Sequence, residues 1–228
     1  MAAEGSQTLE RGLMVLRMIA EERDGLTASE VGARLGVHRS VAYRLLTALV
    51  RQGFAAKDGA HRYRVGLAFF TLAELTRPPL LDAARPVLRD LAAELGVTAC
   101  LVVPEGQEAV AVAVVEPPGP GARLSYRVGN RDPLDRGAGG LALLAAGPPA
   151  AGEPDRVAEV RDRGYALTCE EIIPGVFGVA APVVRRPHEQ PAAVTTLTHR
   201  EELAEQAVPA VLAAARRLSR ALDTPGPR

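Results

Sequence analysis

Apolar residues recur every three or four positions through the first fifty residues, which is the spacing of amphipathic helices. The predicted helices cover 7–22, 28–35 and 38–52. Thr27 and Glu30 form a capping box before the second helix, and Gly36 and Gly53 close the second and third. The stripe predicted to be buried on the first helix consists of Leu9, Leu13, Leu16 and Ala20.

The third helix has two different faces on a wheel of 100° per residue. The apolar face, predicted to pack on the first two helices, holds Val41, Leu45, Ala48 and Leu49. The opposite face holds Ser40, Tyr43, Arg44, Thr47 and Arg51. Such a face suits a DNA major groove, where Arg reads guanine and Ser or Thr binds bases or phosphates. On an isolated helix the same face would be an ordinary solvated surface.

A basic hairpin is predicted after the third helix. Strand patterns at 54–57 and 62–65 flank Asp58-Gly59, a two-residue turn signal. Arg62 and Arg64 alternate with apolar residues and are predicted to share one side of the return strand. This arrangement is typical of the wing of a winged helix, whose arginines contact phosphates.

Residues 67–77 are predicted to form an apolar connecting helix that ends at Pro78-Pro79. Phe69 or Phe70 would pack either in a dimer or against the first helix of its own chain, and the pattern leaves both open.

The remaining pattern alternates between helix and strand periods, which indicates an α+β fold overall. The predicted later helices are 80–95, 137–146, 157–163 and 201–222. The predicted later strands are 97–103, 108–115, 122–128, 165–168, 176–184 and 192–197. Pro209 predicts a kink or a new first turn within the last helix.

Charge is unevenly distributed along a chain that is neutral as a whole. Residues 34–66 contain seven Lys or Arg and a single acid, Asp58. A concentrated positive field on a helix-turn-helix pattern indicates double-stranded DNA as a partner. Base edges are assigned to Ser40, Tyr43, Arg44 and Thr47, and phosphates to Arg39, Arg51, Arg62 and Arg64.

Other function classes find little support. Two cysteines without a C-x-x-C pair favour a reducing cytoplasm, and neither a signal peptide nor a membrane span is expected. The glycines at 137–140 match neither a dinucleotide fingerprint nor a P-loop, and no serine lies in G-x-S-x-G. The four histidines lack zinc-ligand spacing. We therefore expect no enzyme activity, no metal and no cofactor.

The order of these parts resembles the IclR family of bacterial transcriptional regulators. The pieces that carry the resemblance include LERGLMVLRMIA, HRSVAYRLLTALVRQGF, RYRVG, RVGNRDPLDRGAGGLALLA and RDRGYALTCEEIIPGVFGVAAPV. The resemblance implies a winged helix-turn-helix domain over 1–66, a linker helix over 67–79 and a GAF-like effector-binding domain over 80–228. It also implies dimers or tetramers.

The resemblance further implies an effector site. Family members that bind small acids use backbone N–H groups aligned with Ala138 and Gly139. Their Asp, Cys and two Ser around the ligand align with Thr168, Gly178, Thr195 and Leu197. Because most of these polar groups are replaced, and Gly178 and Leu197 leave a roomier cavity, we expect an effector bulkier and more apolar than a two- to three-carbon acid.

The leading hypothesis is a ligand-responsive regulator that binds a pseudo-palindromic operator as a dimer or tetramer. Two alternatives remain open. One is a small-molecule-binding or catalytic domain whose winged helix serves only dimerisation. The other is an architectural DNA-binding protein with a filled C-terminal core and no effector.

Overall fold

A computed structural model of the chain describes residues 6–76, 78–119, 124–185 and 189–223. The chain divides into two compact units between residues 77 and 78. The first contains three helices, a hairpin and a fourth helix, and the second contains a six-stranded sheet with helices on both faces. The predicted α+β class is therefore confirmed.

The first unit begins with a helix-turn-helix and ends with the predicted apolar helix. Its elements are α1 Gln7–Glu21, α2 Ala28–Leu35, α3 Arg39–Arg51, β1 Ala55–Lys57, β2 Tyr63–Val65 and α4 Ala68–Thr76. The capping box of α2 is formed as predicted: the Thr27 backbone N–H donates to the Glu30 carboxylate at 2.7 Å, and the Glu30 N–H donates to Thr27 Oγ1 at 3.3 Å. Gly36 ends α2 with a left-handed φ of 67°, which glycine adopts without steric cost.

The core of this unit corrects two predicted helix faces. On α1 the buried residues are Val15 and Ile19, whereas Leu9 is 63% exposed. The fully buried positions on α3 are Ala42 and Leu46, while Leu45 and Leu49 flank them and Ala48 faces outward. In α1 the reason is that two apolar stripes run along one helix, so the period alone could not show which one faces inward.

The wing hairpin differs from the prediction in its turn. Lys57 pairs with Tyr63, so the loop contains Asp58 to Arg62 rather than two residues. Asp58 Oδ1 accepts the backbone N–H groups of Ala60 and Arg62 at 3.0 and 2.9 Å. The left-handed position is taken by His61, with φ 59°, and not by Gly59. The aspartate side chain thus organises the loop, as it does in Asx turns.

The second unit is built on a sheet of order β5-β4-β3-β8-β7-β6, in which all neighbouring strands are antiparallel. Its strands are β3 Thr98–Glu105, β4 Glu108–Val115, β5 Arg131–Pro133, β6 Ala166–Cys169, β7 Phe177–Val183 and β8 Ala192–Thr198. Its helices are α5 Pro79–Leu95, α6 Ala138–Ala146, α7 Arg156–Arg163 and α8 Glu201–Asp223.

Both faces of this sheet are covered by helices. Alternate residues of each strand point to opposite faces, so Leu101 joins the core beneath α5 and α8, while Cys100 and Val102 join the core with α6 and α7. Burial on both faces explains why these strands are apolar almost throughout rather than alternating.

Two predictions in the second unit need correction. The predicted strand at 122–128 is irregular over 124–128, and residues 122 and 123 lie outside the described residues. Leu124 and Tyr126 are nevertheless buried, while Val128 is exposed.

The edge strand β5 was not predicted, since three residues are too few to show a period. α8 continues through Pro209 without a new first turn, and the proline lies on the exposed side.

No helix in the described part of the chain is both long enough and apolar enough to cross a membrane.

The corrected face of α3 gives a stability test. Leu46→Ala should lower the free energy of unfolding by about 3 kcal/mol because it leaves a cavity in a closed core. Val50→Ala, on the outer side of the same helix, should cost less than about 1 kcal/mol. Urea unfolding followed by circular dichroism measures both variants. Equal losses would mean that Leu46 is not a core residue.

Candidate DNA-binding surface and ligand cavity

The outward face of α3 carries the polar side chains predicted to meet DNA. Ser40, Arg44, Thr47 and Arg51 are exposed, and Tyr43 is 50% exposed. His38 caps the helix: the Ser40 backbone N–H donates to its Nδ1 at 3.3 Å, and the Ser40 hydroxyl lies 2.9 Å from the same nitrogen. The Ser40 hydroxyl is therefore positioned by the helix start.

Three arginines of α3 carry charges that no described residue pairs. Among the described residues, no carboxylate lies within ion-pair distance of Arg39, Arg44 or Arg51, and all three are exposed. Arg34, on α2, is instead paired with Glu22 at 2.9 Å. Three uncompensated guanidinium groups on one short helix give this surface a local positive potential.

The two wing arginines, predicted to act alike, are placed differently. Arg62 is half-buried, and its Nε and Nη2 donate to the carbonyl oxygens of Asp24 and Gly25 at 2.9 Å each. It also lies 3.4 Å from Glu30, whose pKa is lowered, chiefly by the hydrogen bond from the Thr27 backbone. Arg62 thus holds the hairpin to the turn between α1 and α2.

Arg64 is exposed and makes weaker contacts. Its Nη2 is 3.3 Å from the Asp24 carbonyl oxygen, and its Nε is 3.8 Å from Asp58. An exposed ion pair at this distance contributes little to stability, so Arg64 remains free to exchange its partners for phosphate.

Phe69 and Phe70 also differ. The rings of Phe69 and Phe54 pack edge to face with centroids 5.2 Å apart, whereas Phe70 is 70% exposed. Phe69 therefore packs within its own chain, against the residue that precedes the wing rather than against α1. Phe70 has no such contact among the described residues.

In the second unit, the six residues predicted to bind an effector line one cavity. They are Ala138, Gly139, Thr168, Gly178, Thr195 and Leu197. Strand pairing brings them together, because Gly178 is paired with Thr168 on one side and with Leu197 on the other. The cavity lies between the start of α6 and the sheet, and its free volume is about 40 Å³, enough for about three water molecules.

Two backbone N–H groups at the start of α6 already donate to acceptors within the protein. The Ala138 N–H donates to Thr168 Oγ1 at 3.1 Å, and the Gly137 N–H donates to Glu171 Oε2 at 2.8 Å. Arg156 of α7 holds the Glu171 carboxylate with two hydrogen bonds of 2.6 and 2.8 Å. These bonds from Arg156 are the main reason that the pKa of Glu171 is lowered.

Gly178 does not enlarge the cavity, which corrects the sequence-based argument. A Cβ at Gly178 would lie 3.2 Å from both the Ala138 Cβ and Thr168 Oγ1, so the space is filled by neighbours. The glycine permits close packing between α6 and β7. Gly140 is required more strictly, because its Cβ would lie 2.5 Å from the Pro133 carbonyl oxygen.

Further polar groups of the cavity were missed by sequence reasoning. Tyr126 is buried, and its hydroxyl donates to Asp132 Oδ2 at 2.7 Å. Burial raises the pKa of both Asp132 and Tyr126. The apolar alternation around Tyr126 indicated its burial, but no local signal marked Asp132, which reaches the cavity only through the unpredicted strand β5.

Thr195 is the other unusual group. It is only 4% exposed, and its Oγ1 has no hydrogen-bond partner among the described residues. A Cβ at Gly139 would lie 3.4 Å from this oxygen, which places the hydroxyl at the cavity wall beneath α6. A buried hydroxyl without a partner is costly and calls for an explanation.

Sequence comparison places this architecture in a known group. The IclR helix-turn-helix domain matches residues 8–59, and the family described as "Bacterial transcriptional regulator IclR C-terminal" matches residues 72–153 and 154–224. The chain belongs to the IclR family of bacterial transcriptional regulators. The matched families and relatives are regulators rather than enzymes, in agreement with the prediction.

Individual relatives support the same assignment. The chain is 32% identical to the HTH-type transcriptional regulator BhcR of Paracoccus denitrificans over 94% of its own length and 87% of that protein. It is 36% identical to the regulator Rv1719 of Mycobacterium tuberculosis, but this match covers 64% of the chain and only 56% of that relative.

Solved structures share the fold. An IclR regulator from Alicyclobacillus acidocaldarius is 26% identical with a TM-score of 0.78, covering 95% of this chain and 99% of that one. An IclR homologue from Microbacterium hydrocarbonoxydans, solved with 4-hydroxybenzoate, is 23% identical with a TM-score of 0.82 over the same shares.

The different placements of the wing arginines give a paired prediction. Arg62→Ala should lower the free energy of unfolding by about 1–2 kcal/mol, because two backbone carbonyl oxygens lose a charged donor. Arg64→Ala should change it by less than about 0.5 kcal/mol. Thermal and urea unfolding of the two variants measure this difference. An equal loss of unfolding free energy in both variants would contradict the structural role given to Arg62.

The Glu171 carboxylate gives a pH-dependent prediction. Because its pKa is lowered in the folded state, its stabilising effect is fully present above its unfolded pKa of about 4.3 and is lost as the pH falls through the lower folded value. Glu171→Gln should therefore be about 1–2 kcal/mol less stable than the wild type at pH 7. The difference in stability between Glu171→Gln and the wild type should disappear toward pH 3.

Melting temperatures from pH 3 to 7 test this, with Glu159→Gln on α7 as a control for the loss of one exposed charge. A gap that stays constant across this range would contradict the role given to the Glu171 carboxylate.

Proposed function

We propose that this chain is a ligand-controlled transcriptional regulator that reads a pseudo-palindromic operator through α3. The observation that carries the proposal is the exposed face of α3, on which three arginines have no carboxylate partner among the described residues. Ser40, Tyr43, Arg44 and Thr47 would face base edges. Arg39, Arg51 and Arg64 would contact phosphates, and Arg62 would support the wing that presents Arg64.

A second copy of the chain would complete the DNA-binding unit. Both α1 and α4 expose large apolar side chains, including Leu13 at 52% and Leu75 at 78%. Exposed apolar surface of this kind is typical of protein–protein contacts. We propose that it is covered in a dimer, which could associate further into a tetramer. A two-fold dimer would present two recognition helices to half-sites about 34 Å apart. Its place of action would be the cytoplasm, where the DNA lies.

The cavity at the start of α6 is the proposed effector site. Ala138, Gly139, Thr168, Gly178, Thr195 and Leu197 would form its wall. The proposed effector is a small organic molecule with a body bulkier and more apolar than a two- to three-carbon acid, because apolar side chains surround the few polar groups. The complex of the Microbacterium homologue with 4-hydroxybenzoate is a precedent for a small ligand in this fold. A ligand larger than the free volume would displace the loop that contains Ile172.

The DNA-binding proposal predicts a steep dependence on salt. If about six phosphates are neutralised per dimer, the log–log slope of affinity against salt should be about −5. Arg51→Ala removes one phosphate contact per protomer and should reduce the slope by about 2 per dimer. Arg200→Ala, an exposed arginine of the second unit, should leave it unchanged.

Fluorescence anisotropy with the intergenic DNA upstream of the chain's own gene, with random DNA as competitor, provides this measurement. Affinity no higher for the operator fragment than for random DNA, together with a slope near zero, would favour the alternative in which the winged helix serves only dimerisation.

A further inference from the structure

Two of the backbone donors at the start of α6 are already bonded within the protein. Thr168 Oγ1 accepts from Ala138, and the Glu171 carboxylate accepts from Gly137 while Arg156 holds it in place. A ligand carboxylate that used the Gly137 N–H would have to displace a carboxylate that is already bound by a guanidinium group. The usual preference of a helix start for anions is therefore met in part within the protein.

The charged groups at the cavity also give no advantage to a charged ligand. Two are acidic, Asp132 and Glu171, and one is basic, Arg136. Arg136 is exposed and also acts electrostatically on Glu171, so its charge is partly compensated there. The carboxylate of Asp132 is bound only by the hydroxyl of Tyr126 among the described residues. With Arg156 counted, which holds Glu171, two acids and two bases balance, so neither an anionic nor a cationic ligand would gain a net attraction that offsets the loss of its hydration.

The unsatisfied polar groups instead call for hydrogen bonds. Thr195 Oγ1 is buried without a partner and can both donate and accept. Asp132 retains one carboxylate oxygen, Oδ1, with no hydrogen bond to the described residues. A ligand hydroxyl would donate to Asp132 Oδ1 and accept from Thr195 Oγ1, while Val102, Val176 and Leu197 surround its apolar part.

We infer that this cavity binds an uncharged alcohol and discriminates against the corresponding carboxylate. The inference rests on the proposed effector role of the cavity, but it can fail separately from DNA binding. Thr195 would recognise the ligand hydroxyl directly, and Asp132 would disfavour a ligand carboxylate.

The neighbouring residue provides a matched control. Thr196 is buried on the opposite face of the same strand, and its hydroxyl lies 3.5 Å from the Val179 carbonyl oxygen, to which it donates. Thr195→Val removes an unpaired hydroxyl and should raise the melting temperature of the ligand-free chain by about 2 °C. Thr196→Val removes a paired one and should lower it.

Binding is measured on the full chain by ligand-observed NMR and calorimetry with benzyl alcohol, benzoate and benzylamine. Wild-type protein should bind benzyl alcohol at least tenfold more tightly than benzoate or benzylamine. Thr195→Val should weaken benzyl alcohol about tenfold, and Thr196→Val should not change its affinity. Asp132→Asn should reduce the difference in affinity between benzyl alcohol and benzoate.

Three results would overturn the inference. The first is benzoate or benzylamine binding as tightly as benzyl alcohol, and the second is a fall in melting temperature for Thr195→Val. The third is no detectable binding at a benzyl alcohol concentration 10-fold above about 1 mM. The last figure is the dissociation constant expected for so small a ligand. Operator binding by the same proteins is measured in parallel. If operator binding persists, only the ligand class has failed; if the wild type shows none, the proposed regulatory function has failed.

Discussion

The second unit depends on how one enclosed helix end is satisfied. A helix begins with backbone N–H groups that have no partner within the helix, and burying them without acceptors is costly. At α6 these acceptors come from β6 and from the loop after it, through Thr168 and Glu171. Arg156 fixes the second acceptor from α7. The same bonds therefore determine the position of α6, the loop that covers the cavity and the chemistry left for a ligand.

The first unit separates structural arginines from free ones. Arg62 donates to two backbone carbonyl oxygens and keeps the wing in place, whereas the arginines of α3 have no carboxylate partner within the described ranges. In sequence they look equivalent, because all belong to one basic stretch. The difference arises from the turn at Asp24-Gly25, which offers acceptors to one side of β2 and none to α3. A count of charges therefore overstates how much of the positive field is available to DNA.

The sequence predicted most elements and the family, but it was less reliable on which way side chains point. The capping box of α2 and the strands around Gly106 follow from local chemistry, and both are present. The buried face of α1 was missed because two apolar stripes compete on it. The sequence suggested free space beside Gly178. This space is filled by Ala138 and Thr168, which are distant from Gly178 in sequence. Asp132 was missed because a three-residue edge strand carries no detectable period.

The small free volume of the cavity has a consequence for timing. With about 40 Å³ available, a ligand of more than a few atoms would need lining groups, such as the loop that contains Ile172, to move. Association would then be slower than diffusion allows, and dissociation would wait for the same opening. The duration of a response would then follow the rate of this rearrangement. A cell using such a sensor would average over brief changes in metabolite level rather than follow them.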